Sequence, residues 1–402
     1  MKAPIEQDLF GNPKEDWVDT ARQLQFKLGS IRNSYVGNKR KILPNLAEIL
    51  YRHDLQTKIS GGKVLDLFAG SSFVSYLFKG LGAAVWSNEI LASSFLNAVC
   101  FIENDDIKVE AGALNSLLKT REGTKGPAFE QIGKRFTERE ALVLDSFLLN
   151  MKEEGFSLDY CIKMAAMTED SDVRTSKLST FGMTTQHRTW NQSFIQDAGE
   201  RLFYRRCFYA LTVIHYVMNH CYVGGRLNSG QILAKLDHRL EHDRNKGHEM
   251  SFKKILPYNL PFSNGRACIA TKMDAIDLLK IHKPEVDLVY VDPPYGGDQS
   301  DYGNMYSFFE AYLGFPQEDG SDRFAKSKTY EQSFNELLSL LPPKAVWVFS
   351  YNDDSWANLD TIVSCIKQFG NRQVLPEKID YEYNYRSKEK ATGTEYVITA
   401  TP

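Results

Sequence analysis

Asp292-Pro293-Pro294-Tyr295 joins an acid, a stiff turn that carries carbonyls, and an aromatic ring. Each proline has a fixed φ and no N–H, so a strand running into this segment must stop there. A planar ring bearing an amino group suits such an end. The Asp292 carboxylate and the Pro293 carbonyl can accept from the amine while Tyr295 stacks on the ring face. The same four residues also serve as an ordinary exit turn from a strand. A second cluster, Asp66-Leu67-Phe68-Ala69-Gly70-Ser71-Ser72, follows an apolar run and opens a helix. Gly70 allows close approach of backbone to a ligand, and the small Ser71 and Ser72 keep that path open. The loop lacks the G-x-G-x-x-G spacing and the Walker lysine, which disfavours a dinucleotide or a nucleoside triphosphate. Glu89, about 20 residues on, stands where an acid accepts from ribose hydroxyls, although a strand-end surface acid would look the same. A ribose without a phosphate beside an amino-ring clamp points to S-adenosyl-L-methionine.

The elements that must position these residues are legible as short apolar runs. Lys63–Phe68, Ala83–Ser87, Ala267–Asp274, Val286–Val291 and Ala345–Ser350 read as strands. Ile42–Leu50 and Phe73–Lys79 read as helices, and the end of the chain alternates like an antiparallel hairpin over Tyr381–Arg386 and Glu395–Thr399. Ligands bind at the carboxyl ends of strands in open α/β sheets, and both acidic clusters fall there. Residues 1–27 are polar, show no strong period and read as an arm. From about 105 to 264 the strand–helix alternation stops, and the segment reads as largely helical, with Phe136–Lys152 and Ala198–Cys221 the clearest runs. The expected division is therefore an arm at 1–27, a split catalytic domain at 28–104 and 265–402, and an insert at 105–264.

At 402 residues, 43% hydrophobic and 25% charged, the composition is that of a soluble globular protein with room for two domains. No apolar run is long enough to cross a bilayer. The six cysteines are scattered, as for reduced cytosolic thiols rather than a disulfide framework or a zinc site. The net charge of −3 hides a segregation: residues 161–255 hold 14 Lys/Arg against 9 Asp/Glu, with six of the eight histidines. Such a block fits a surface that meets phosphates, or equally a solvated face.

Three signals in order, Tyr35-x-Gly37-Asn38-Lys39, Asp66-Leu67-Phe68-Ala69-Gly70 and Asp292-Pro293-Pro294-Tyr295, resemble the D12-class, Dam-like N6-adenine DNA methyltransferases. The resemblance covers roughly 33–103 and 265–402. It implies an α/β, Rossmann-like methyltransferase domain dependent on S-adenosyl-L-methionine and interrupted by a mainly helical target-recognition insert. It implies catalytic roles for Asp292, Pro293 and Tyr295. Cofactor contacts would come from Tyr35, Lys39 (toward the cofactor carboxylate), Asp66, Phe68, Gly70, Glu89, Asp274 and Asp292. Asp274 reads equally well as the cap of a helix starting at Ala275. Late in the insert, Gly225-Arg226-Leu227-Asn228-Ser229-Gly230 is similar to a turn the family uses on DNA, which singles out Arg226 and Asn228. Gly296–Gly303 reads as a loop that closes over a flipped base, or as a plain surface loop. Where the family has a final glycine in its cofactor loop, this chain has Ser72.

The resemblance further implies double-stranded DNA as partner, a cytoplasmic protein of a prokaryote or phage acting as a monomer on DNA, no membrane, and a restriction-modification role with a companion endonuclease. N4-cytosine methylation is the nearest rival, since it uses the same amine chemistry; Ser is usual there in place of Asp292. RNA or protein-glutamine methylation more often goes with Asn. A non-catalytic DNA-binding regulator on the same fold is the rival from a different class.

Overall fold

The computed structural model describes residues 14–29, 39–108, 117, 119–133, 136, 138–153, 180–181, 204–205, 207–215, 222–223, 226–227, 260–294, 302–314, 323–324, 327–352, 357–384 and 390–402. Seven strands form one sheet: β1 (Lys63–Asp66), β2 (Ala84–Glu89), β3 (Ile269–Lys272), β4 (Leu288–Val291), β5 (Val346–Asn352), β6 (Gln373–Asn384) and β7 (Lys390–Thr401). Their spatial order is β3-β2-β1-β4-β5-β7-β6. The first five are mutually parallel, whereas β7 runs antiparallel to β5 and to β6. The α/β class expected from the resemblance is the class the chain forms, and the terminal hairpin is β6–β7.

The core strands are apolar at successive positions because the sheet is covered on both faces. On one face Val64, Val85, Tyr290, Val348 and Val397 pack under α1 (Lys14–Leu28), α2 (Leu43–Arg52), α3 (Phe73–Gly80) and α4 (Ala92–Ala98). On the other, Leu65, Trp86, Val289, Phe349 and Ile398 face α5 (Ala275–His282), α6 (Ser327–Leu340) and α7 (Leu359–Gln368). One more helix, Tyr302–Tyr312, follows the Asp-Pro-Pro-Tyr segment and sends Tyr306, Phe309 and Tyr312 into the first face.

The reading of residues 1–27 as aperiodic is corrected over Lys14–Leu28. Trp17, Ala21, Leu24 and Leu28 are buried at helical spacing, on one stripe of α1. The stripe is narrow and diluted by six charged residues in fifteen, so it does not read as a period against the polar background. Between residues 105 and 264, Glu138–Glu153 and 207–215 are helices, and Tyr222–Val223 pairs antiparallel with Arg226–Leu227. Among the described residues no helix is long and apolar enough to cross a membrane.

Candidate active site

The order of the parallel strands reverses between β1 and β4: from β1 the sheet grows through β2 and β3 on one side, and from β4 through β5 on the other. The carboxyl ends of β1 and β4 are thus the topological switch point, where an open α/β sheet leaves a crevice. Asp66 ends β1 and sits in register with Tyr290 of β4. Asp292 follows β4 by one residue. Period-2 alternation then puts Asp66, Tyr290 and Asp292 on one face of the sheet, the face covered by α3.

Asp66 is 1% exposed. Its Oδ2 accepts from Ser75 Oγ at 2.6 Å, but its Oδ1 is buried with no hydrogen-bond partner, and no cation pairs with it among the described residues. Burial pushes its carboxyl up to about 7, and the charges of Asp292 and Glu89 push the same way against the Ser75 bond. A carboxylate so placed lacks a positively charged donor.

Asp292 is held from the opposite side. Lys39, itself 8% exposed, brings its Nζ to 3.2 Å from Asp292 Oδ1 and 2.8 Å from Glu395 Oε1. Lys39 stands in the short 3-10 turn Lys39–Ile42 that leads into α2, and Glu395 comes from β7. Glu395 also accepts from Ser350 Oγ of β5 at 2.6 Å. Burial first, then the Asp292 charge, holds the Tyr290 phenol neutral, far above its ordinary range.

The loop after β1 is fixed by Glu89. Its Oε2 accepts from Gly70 N–H at 2.6 Å, and its Oε1 from Ile90 and Leu91 N–H at 2.8 and 3.2 Å. Burial raises this carboxyl as well. Gly70 has φ +50°, and Ser72 has φ +60° with a buried hydroxyl that lacks a partner among the described residues. The left-handed backbone there is what glycine adopts without cost, and this serine adopts it in glycine's place. Phe68 is half-buried and meets the Phe324 ring edge-on at 5.2 Å. Asp274 caps α5, accepting from Ile276 and Asp277 N–H at 3.0 and 3.1 Å. The capping reading of Asp274 is therefore realised.

The structure brings together Lys39, Asp66, Gly70, Glu89 and Asp292 around the switch point, with Phe68 and Asp274 at the neighbouring strand exits. Pro293 is buried directly after Asp292. Tyr35, Tyr295, Asn228 and residues 296–301 lie outside the described residues; of the Gly296–Gly303 loop expected from the sequence, Tyr302 and Gly303 instead open the helix Tyr302–Tyr312. Arg226 is placed only as backbone in its two-residue strand, and its side chain is not described.

Sequence reading passed over several residues that build the site. Glu395 was legible only as part of a hairpin, although a charge directly before the apolar run Tyr396–Ile398 signals a buried partner. Asn88 donates to the Leu67 and Met273 carbonyls and accepts from Thr271 Oγ1, tying together the exits of β1, β2 and β3. Glu310, from Tyr302–Tyr312, accepts from Ala92 and Ser93 N–H and Ser93 Oγ, so it caps α4 from a distant helix. No local pattern announces either.

Residues 35–154 match the D12 class N6 adenine-specific DNA methyltransferase family. The stretch includes Lys39, the loop after β1 and Glu89. The chain is 22% identical over 364 residues to "Type II methyltransferase M2.HphI" of Haemophilus parahaemolyticus, covering 89% of this chain and 93% of that protein. It is 21% identical over 376 residues to "Modification methylase StsI" of Streptococcus sanguinis, covering 90% of this chain and about half of that protein, 50% of its length. No solved structure matches. These likenesses, with the strand order and the Asp292 cluster, support an enzyme of the DNA methyltransferase kind.

Proposed function

We propose that this chain transfers the methyl group of S-adenosyl-L-methionine to N6 of adenine in double-stranded DNA, with the target base flipped out of the helix, as the modification component of a restriction-modification system. The observation that carries the reading is the Asp292 carboxylate, fixed at the end of β4 by Lys39 and facing the switch point beside Asp66.

The cofactor's fit rests on the orphaned oxygen. Asp66 Oδ1 is buried without a donor, and S-adenosylmethionine carries an ammonium and a sulfonium beside its ribose hydroxyls. In this reading Asp66 takes the cationic end, Glu89 shares its carboxylate between the loop N–H groups and the ribose, and Gly70 gives the backbone its close approach. Tyr35, Lys39, Phe68 and Asp274 complete the cofactor side. When bound, the cofactor supplies an activated methyl group on positively charged sulfur.

The chain's own residues prepare the acceptor. An exocyclic adenine amine is a poor nucleophile because its lone pair is delocalised into the ring. Asp292 and the Pro293 carbonyl accept its two N–H bonds and so localise that lone pair. These bonds strengthen as the nitrogen becomes positive, so they favour the transition state over the ground state. Asp292 or water then receives the proton that the methylated nitrogen sheds. Tyr295 stacks on the ring, contributing on the order of 1–3 kcal/mol, and loop 296–301 covers the flipped base. Flipping is required because the amine is inaccessible in a duplex. Arg226 and Asn228 in the basic insert contact the DNA, and the chain acts as a monomer in a prokaryotic or phage cytoplasm alongside a companion endonuclease.

The test is to incubate the protein with methyl-labelled S-adenosylmethionine and unmethylated duplex DNA, digest to nucleosides and identify the label by mass spectrometry. N6-methyladenine is the expected product. N4-methylcytosine would change the substrate and keep the site. No label despite bound cofactor would move the acceptor away from DNA, and no cofactor binding would leave a DNA-binding module.

A further inference from the structure

We propose that Glu395 is a positioning residue for Asp292, acting through Lys39; this rests on the methyl-transfer reading above. Glu395 enters the site by topology. Because β7 runs antiparallel to β5, Glu395 lies in register with Asn352, at the end where the parallel strands exit. It is 2% exposed. A carboxylate taken so far from water costs more than an apolar residue of similar size would at that strand position. Here it accepts from Ser350 Oγ at 2.6 Å and meets Lys39 Nζ at 2.8 Å, closer than the 3.2 Å from Lys39 to Asp292.

The arrangement solves a conflict in the chemistry of Asp292. That carboxylate needs a fixed direction to meet an amine, and an ammonium supplies one. An ammonium facing Asp292 alone would also offset the negative charge that localises the amine's lone pair. With Glu395 taking the shorter contact, the Lys39 charge is divided between two carboxylates. Asp292 is thereby oriented and still carries negative charge toward the substrate. Ser350 fixes Glu395 in turn, so the direction of Asp292 is set by three strands, β4, β5 and β7, and by the turn before α2.

Glu395→Gln keeps the size and removes the charge. The expected result is a fall in kcat of roughly 10- to 100-fold, the range that a small misplacement of a reacting group causes. The KM for DNA and the Kd for S-adenosylmethionine should stay within a few-fold. Glu395→Asp, which keeps the charge on a shorter arm, should recover part of the loss. In Lys39→Met the role of Glu395 disappears, so Lys39→Met/Glu395→Gln should have a kcat no lower than Lys39→Met alone. Multiplying losses in that double variant, or an unchanged kcat in Glu395→Gln, would overturn the proposal.

A readout independent of turnover separates this inference from the assignment of function. In protein labelled with carboxyl-13C aspartate, the Asp292 resonance is identified by its loss in Asp292→Asn and followed through a pH titration. Its midpoint should move down in Glu395→Gln, where Lys39 turns wholly to Asp292. An unmoved midpoint would remove the coupling even in an active enzyme. A moved midpoint in a chain that methylates nothing would keep the coupling and overturn the methyl-transfer reading.

Discussion

Asp66 holds a carboxylate where folding alone gives it little support. Its ordinary pKa of 3.8 is raised to about 7, mainly by burial. Between those values the folded chain holds a proton that the unfolded chain has released, so stability falls as pH rises from about 4 to 7. A cationic ligand reverses the balance by pairing with the ionised form. S-adenosylmethionine affinity should therefore increase from pH 5 to pH 8, with proton release on binding visible as a buffer-dependent calorimetric heat. Asp66→Asn should flatten that pH dependence, weaken binding, and raise the melting temperature at pH 8 more than at pH 5. A wild-type affinity independent of pH would detach Asp66 from the cationic end. At Asp292 the expectation is kinetic: Asp292→Ala should lower kcat by roughly 10²–10³-fold or more while most DNA affinity remains, and retained turnover would remove it from the chemistry. Ser72 shows a cost in the backbone itself. A non-glycine residue at φ +60° is strained by roughly 1–2 kcal/mol, and its buried hydroxyl lacks a partner among the described residues. Ser72→Gly should raise unfolding stability by about 1 kcal/mol in urea titrations; a loss of stability would show that the hydroxyl is bonded in solution.

At the scale of elements, what aligns the site is the tying of strand exits to one another. Asn88 joins β1, β2 and β3, Glu89 joins β2 to the loop after β1, and Lys39 with Glu395 joins the turn before α2 to β4 and β7. Glu310 extends this to the segment behind the Asp-Pro-Pro-Tyr motif, since it reaches from Tyr302–Tyr312 to the first N–H groups of α4. Removing it leaves buried donors unsatisfied, which costs about 1–3 kcal/mol. Glu310→Ala should therefore lower the urea midpoint. An unchanged midpoint would mean that α4 finds other caps. Helices α2 and α3 and the five parallel strands were legible because their apolar runs are dense. Helix α1 was not, because its inward residues are spread among charges.

Over the whole molecule, charge separates function from fold. The chain is acidic at −3, while residues 161–255 carry a local net of +5. If that block meets phosphates, duplex affinity should fall steeply with salt. Arg226→Ala should blur site selectivity across a library of duplexes with little change in cofactor affinity. Unchanged selectivity would place recognition elsewhere in the insert.

The sequence by itself determined the parts that depend on neighbours along the chain. Apolar runs ending in Asp66, Glu89 and Asp292 define strands that finish in acids. Prolines 293 and 294 stop β4, and Gly70 turns the loop after β1 at φ +50°. Periodicity and turn chemistry are local physics, so they are written in order. Tertiary structure alone decided which strands are neighbours, and therefore that Asp66 and Asp292 share the switch point. It also decided that a buried lysine from before α2 meets a glutamate from the last strand. These pairings join residues more than 200 positions apart, Lys39 and Glu395 more than 350, and no spacing along the chain encodes them. They follow from the crossover order of the sheet and from the demand that a buried charge find a partner.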